Sequence, residues 1–140
     1  MIRYFDASAL VKRYVRESET PAVARLIQES TPAISRLSEA EIASALARRR
    51  RAGDLSLKAY DAALAMLRAD LARLHVMELA PLVVAGVHAL FARHPLRAGD
   101  ALQLAAALAL RDGLGTELDF VCFDERLKEA ARAEGMHVLP

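Results

Sequence analysis

Four carboxylates stand where this sequence could do chemistry. Asp6 follows the apolar run 2–5, and Glu41 lies in the first turn of a helical stretch after 32–35. Asp100 opens an Ala/Leu-rich helix, and Asp124 follows the apolar run 120–123. Each has an ordinary structural use. Ser38 and Glu41 fit a capping box, worth about 1 kcal/mol. Asp6, Asp100 and Asp124 are acceptable helix caps, each favoured by the helix dipole by roughly 0.3–1 kcal/mol. Together they imply more. Like charges at ~4 Å in an effective dielectric near 20 repel by about 4 kcal/mol per pair. A fold tolerates such convergence if a cation neutralises the acids or if they partly protonate. Oxygen donors without His or Cys favour Mg²⁺ or Mn²⁺ over zinc. Such an ion can activate water and steady the leaving oxygen of a phosphodiester.

The elements that must position these acids are short and alternate. Apolar runs at 2–5, 32–35, 75–79, 120–123 and 136–139 predict five strands. Helical spacing predicts helices at 7–16, 20–29, 38–51, 56–74, 82–93, 100–111 and 124–134. Thr20 and Pro21 mark one start, and Gly53, Gly113 and Gly135 mark three ends. Strands separated by helices give a short, mostly parallel five-stranded sheet in a three-layer α/β/α fold. Ligands of such sheets bind beyond the carboxyl ends of the strands, and the four acids fall at those ends or at adjoining helix starts.

Composition narrows the choices. At 140 residues the chain is read as one domain, 1–140, large enough to fold without disulfide or structural zinc. The hydrophobic fraction of 54% excludes disorder. Trp is absent and aromatics are 5%, so a base-stacking platform is not expected. Lys and Arg number 19 against 18 Asp and Glu, so any contact with nucleic acid must rest on local patches. Cys122 is the lone cysteine, which excludes a disulfide framework. The uncharged stretch 79–92 is too short to cross a bilayer, and residues 1–6 carry no signal-peptide core. A soluble, cytoplasmic protein with no membrane partner is expected.

Four motifs carry a family resemblance that spans nearly the whole chain in order. They are FDASALVKRY at 5–14, ISRLSEAEI at 34–42, LRAGDALQLAAA at 96–107 and FVCFDERL at 120–127, the last followed by Ala130, Ala131 and Gly135. The set resembles the PIN-domain proteins, in particular the VapC toxins of type II toxin–antitoxin systems. The resemblance implies a metal-dependent endoribonuclease using Mg²⁺ or Mn²⁺. Asp6, Glu41, Asp100 and Asp124 would be catalytic. Asp6, Asp100 and Asp124 would hold the metal, with Ser8 as a supporting hydroxyl. It also implies an RNA substrate, a homodimer and a VapB-like antitoxin whose tail covers the active groove. Two positions depart from the pattern: Cys122 stands where Thr or Ser is usual, and Gln103 where His is frequent.

Rivals and further features bear on this reading. Asp119 precedes the fourth strand, so it should lie at the opposite end of the sheet. Glu39 faces about 200° away from Glu41 on a helix. Asp54, Asp61, Asp70 and Asp112 read as solvated. The run Arg48, Arg49, Arg50 and Arg51 is either a solvated helix end or an RNA contact, and Lys12 could reach a phosphate. Loss of Arg49 and Arg50 is therefore expected to weaken RNA binding in a salt-sensitive way. Leu57, Tyr60, Leu64, Leu67 and Leu71 form a stripe suited to the core or to a partner helix. His75, His88, His94 and His137 are too scattered for a metal site. Nucleophile-elbow, Walker and Rossmann motifs are absent. A non-toxic RNA-processing PIN nuclease and a catalytically silent scaffold are the alternatives. A receiver-like module lacks its paired acids after the first strand.

Overall fold

The computed structural model describes all 140 residues, Met1–Pro140. Strands β1 (Ile2–Phe5), β2 (Thr31–Ser35), β3 (His75–Met77), β4 (Asp119–Val121) and β5 (His137–Leu139) form one sheet. Their order is β3-β2-β1-β4-β5, and every neighbouring pair is parallel. The expected parallel five-stranded sheet is therefore present. β1 is central, and the chain leaves it toward β2 on one side and returns at β4 on the other. That reversal opens a crevice at the carboxyl ends of β1 and β4.

Helices cover both faces because side chains alternate along each strand. Tyr4, Phe120 and Cys122 point into one core, against Leu104, Ala106, Leu110 and Leu127. Phe5, Ile34 and Val121 point into the other, against Leu10, Val23, Ile42, Leu46 and Leu67. The second face carries α1 (Ala7–Leu10), a 3-10 turn at Val11–Arg13, α2 (Thr20–Gln28), α3 (Arg36–Arg51) and α4 (Leu57–Leu71). The first carries α5 (Pro81–Ala85), α6 (Val87–Arg93), α7 (Ala98–Leu114) and α8 (Glu125–Ala133). No helix is long and apolar enough to cross a membrane.

Several boundaries differ from the sequence expectation for local reasons. The helix expected at 7–16 tightens into the 3-10 turn after Leu10. Thr20 does not cap α2; its hydroxyl donates to the carbonyl of Lys12 and accepts from the Glu17 N–H. The segment 82–93 divides at Gly86, where a Cβ would meet the Val83 carbonyl at 3.2 Å and Ala105 Cβ at 3.5 Å. α7 passes through Gly113 and stops at Gly115, which adopts the left-handed conformation at φ 64°. The α4 stripe is only partly internal: Leu67 is buried, Leu64 and Leu71 pack at the core edge, and Leu57 is exposed.

Asp70 is not solvated, contrary to expectation. Its carboxylate accepts from Arg13 Nε (2.6 Å) and from the Tyr14 hydroxyl (2.7 Å), tying α4 to the segment after α1. The Arg13 guanidinium and the Tyr14 hydroxyl hold its pKa below the usual value despite burial. Asp70→Ala orphans a buried hydroxyl and a guanidinium, so it should lower unfolding free energy by roughly 2 kcal/mol. Thermal denaturation checks this; a melting temperature unchanged from wild type would contradict it.

Candidate active site

Each acid is set in place by its own strand-to-helix junction. Asp6 ends β1 and caps α1, its Oδ1 accepting from the Ala9 N–H (3.0 Å). Ser8, in the first turn, donates to Asp6 Oδ1 (2.7 Å) and accepts from the Phe123 N–H (3.1 Å). Ser8 therefore stitches the end of β1 to the segment after β4. Asp124 caps α8 through its Oδ1 and the Leu127 N–H (2.9 Å).

Glu41 reaches the site by a different route from the one expected. β2 runs into α3 without a loop, so Ser35, not Ser38, caps the helix, accepting from the Leu37 N–H (3.1 Å). Ser38 is buried inside α3, and Glu41 has no capping duty. Glu39 instead pairs with Arg36 (3.0 Å) and is not among the residues lining the cleft. Asp100 lies in the first turn of α7 but does not cap it; the cap position is Arg97. Asp119 begins β4 at the far edge of the sheet and is spent on Arg3 and His137.

Glu41, Asp100 and Asp124 line one cleft of about 710 Å³, together with Arg97, Gly99, Glu125 and Arg126. Gly99 keeps this wall thin: a Cβ there would stand 3.5 Å from Glu41 Oε2. Asp6 is 4% exposed. Cys122 links it to the cleft, donating through Sγ to Asp6 Oδ2 (3.5 Å) and accepting from the Asp124 N–H (3.3 Å). The thiol at this position, where the family usually has Thr or Ser, joins the Asp6 carboxylate to the backbone of Asp124.

A buried relay holds Glu41. The Tyr4 hydroxyl donates to Gln103 Oε1 (2.7 Å), and Gln103 Nε2 donates to Ser38 Oγ (3.0 Å) and to Glu41 Oε1 (2.8 Å). Gln103 is 2% exposed and Tyr4 and Ser38 are fully buried. Sequence alone marked Gln103 only as a departure; its partners are 99, 65 and 62 residues away. Glu41 Oε2 makes no hydrogen bond within the protein.

The electrostatics are those of crowded acids. Burial pushes Asp6 up to about 6, although Ser8, Ala9 and Cys122 donate to it and pull it back. Asp100 is raised by burial and then by the charge of Asp124. Burial, followed by the charge of Asp6, pushes the Cys122 thiol well up, so it remains a protonated donor. No three His, Cys, Asp or Glu groups are gathered closely enough to hold an ion as the side chains stand. Asp6 is held by Ser8 and Ala9 and Glu41 by Gln103, which spaces the charges apart. The donor chemistry nevertheless fits a hard divalent cation: carboxylate oxygens at one crevice, two of them raised by burial or repulsion that a cation would relieve.

The expected RNA contacts are placed less favourably. Lys12 is 8% exposed, bonded to Glu17 (2.6 Å) and Glu19 (3.4 Å), and stacked over Phe123. Arg49 is paired with Glu17 (2.7 Å), and Arg50 lies over the Tyr60 ring. Arg48, Arg49, Arg50 and Arg51 close α3, roughly 10–15 Å along the axis from Glu41 at 1.5 Å per residue.

The chain is similar to known proteins over nearly its whole length. The PIN-domain family model matches residues 3–133. Ribonuclease VapC46 of Mycobacterium tuberculosis is 36% identical over 140 residues, covering 97% of this chain and 95% of the relative. Ribonuclease VapC45 of the same species is 34% identical over 142 residues, covering 98% and 94%. Among solved structures, FitAcB from Neisseria gonorrhoeae gives a TM-score of 0.70 at 17% identity, covering 100% of this chain and 97% of that one. VapBC2 from Rickettsia felis, bound to a promoter DNA fragment, gives 0.68 at 18%, covering 99% and 98%. Mycobacterium tuberculosis VapC20, a sarcin-ricin loop cleaving toxin, gives 0.64 at 18%, covering 93% and 95%. With a fold similar to these structures and a family match over residues 3–133, the chain belongs to the PIN-domain family.

Proposed function

We propose that this protein is a divalent-metal-dependent endoribonuclease, the toxin of a toxin–antitoxin pair. The observation that carries the reading is the cleft where Glu41, Asp100 and Asp124 face one space, with buried Asp6 joined to the Asp124 backbone through Cys122. Relatives named VapC ribonucleases, aligned over nearly the full chain, support the reaction class. Asp6, Asp100 and Asp124 would hold Mg²⁺ or Mn²⁺. When bound, the ion supplies positive charge at the phosphate and lowers the pKa of water. Glu41 takes the proton of the attacking water at Oε2, the oxygen that Gln103 leaves free. Gln103 fixes the angle of that carboxylate, and Ser8 and Cys122 orient Asp6.

Solved neighbours that are complexes of VapC with VapB support an antitoxin partner. A cytoplasmic homodimer completes the proposal. Exposed Leu82, Val84 and Phe91 on α5 and α6 leave apolar surface for such contacts. Induced expression without an antitoxin is expected to arrest growth, and Asp6→Asn is expected to release the arrest. Unimpeded growth with the wild-type chain, if the purified protein cleaves RNA, would assign it to non-toxic RNA processing instead.

A further inference from the structure

The cleft is not lined by acids alone. Its wall includes two guanidiniums, Arg97 at the N-terminal cap position of α7 and Arg126 in the first turn of α8. Both are exposed, and neither makes a salt bridge or a side-chain hydrogen bond within the protein. Several other cations of this chain are already engaged by acids. Lys12 and Arg49 are tied to Glu17, Arg36 to Glu78, Arg93 to Glu134 and Arg13 to Asp70.

Cations at a helix N-terminus oppose the helix dipole, so their placement is not explained by local stability. They do act on the acids: both lower the pKa of Asp100 against burial and the charge of Asp124. A guanidinium presents a planar fork of donors that matches phosphate oxygens in two-point contact. Arg97 and Arg126 are the only basic residues lining the cleft, set beside Asp100 and Asp124 in sequence and in space.

We propose that Arg97 and Arg126 form a phosphate clamp that seats the backbone of single-stranded RNA across the acidic cleft. The proposal rests on the ribonuclease reading and gives the substrate-binding role to these two residues, not to Lys12 and the Arg48–Arg51 run. The clamp holds phosphates on either side of the acids, so that the negative strand can enter a negative site. Because the two arginines engage phosphate, the clamp confers affinity and register without base preference.

The test is fluorescence anisotropy of a labelled random-sequence single-stranded RNA 20-mer, in Ca²⁺, from 50 to 200 mM KCl. The random pool reports phosphate binding whatever the preferred sequence. Arg97→Ala/Arg126→Ala should bind about 10–100-fold more weakly at low salt. Its log-affinity slope against log salt should flatten by about 0.7 for each phosphate that is no longer neutralised. Arg97→Lys/Arg126→Lys should keep the slope, since charge sets it, while losing part of the affinity. Arg68→Ala, exposed on α4 outside the cleft, controls for loss of any surface charge. Both arginines are exposed, so melting temperatures should stay within a degree or two of wild type. A double-alanine variant with wild-type affinity and slope would overturn the clamp while leaving the ribonuclease reading intact. No salt-sensitive RNA binding by the wild-type protein would overturn both.

Discussion

In EDTA at pH 7.5, Asp6→Asn is expected to melt at a higher temperature than the wild-type protein. Burial raises the Asp6 carboxyl from its ordinary 3.8 to about 6. The folded state therefore holds this proton more tightly than the unfolded state does. Above about pH 6 both states are ionised and the folded state bears the full penalty, roughly 3 kcal/mol. Below 3.8 both states are protonated and the penalty vanishes. Stability contributed through Asp6 thus falls as pH climbs from about 4 to about 7. Asparagine removes the charge and can still accept from the Ala9 N–H and the Ser8 hydroxyl through Oδ1. A gain of about 1–3 kcal/mol is expected at pH 7.5, shrinking toward zero near pH 4. Paired denaturation curves across this range check the sign. A gap that widens as pH falls would contradict the account. Mg²⁺ or Mn²⁺ should raise the melting temperature of the wild type and leave the variant largely unmoved, because the acid that the ion relieves is gone.

Gln103→Leu should have the next largest effect, on both stability and rate. The substitution keeps the approximate shape and strips three hydrogen bonds from the interior. The Tyr4 hydroxyl and Ser38, both fully buried, lose their partner, and Glu41 loses the donor that fixes Oε1. Buried polar groups left without partners cost about 1–3 kcal/mol each. They share one network, so the total should be nearer roughly 3–4 kcal/mol than a simple sum. A displaced proton acceptor should also lower kcat by about 10²-fold with KM nearly unchanged. Gln103→His can accept from Tyr4 through one ring nitrogen and donate to Glu41 through the other. It is expected to recover most of the rate. Equal rates for the Leu variant and the wild type would show that Glu41 does not depend on this relay.

Much of the fold follows from local patterns, and the site follows in part. The runs ending at Phe5 and Ser35 pass into a helix within a residue, and the one ending at Val121 does so after three, with Asp6 and Asp124 as the capping acids of two of these junctions. Asp119 and Glu39 could be set aside from strand direction and helix angle alone, and the geometry agrees. What escaped the sequence depends on partners far along the chain. Ser38 and Glu41 have the spacing of a capping box, but the continuous passage from β2 into α3 places the cap three residues earlier at Ser35. That leaves Ser38 free to meet Gln103 across the interior. Asp70 has the local signature of a wet helix end and is enclosed by Arg13 and Tyr14. Lys12 looks available beside Asp6 until Glu17 and Glu19 fold back over it. The basic run is visible in the sequence as a cluster, whereas Arg97 and Arg126 are single residues that only the fold brings to one cleft.

On the proposed reading, these carboxylates form a metal-dependent nuclease site. The most direct test of that reading is cleavage of RNA by the purified protein in Mg²⁺, in Mn²⁺ and in EDTA, beside Asp6→Asn. The substrate is a mixture of transfer, ribosomal and messenger RNA. Cleavage is expected with either ion, none in EDTA, and none by Asp6→Asn under any condition, although that variant is folded. Cleavage that survives EDTA or survives Asp6→Asn would contradict the reading, because the activity would then arise somewhere other than this cleft.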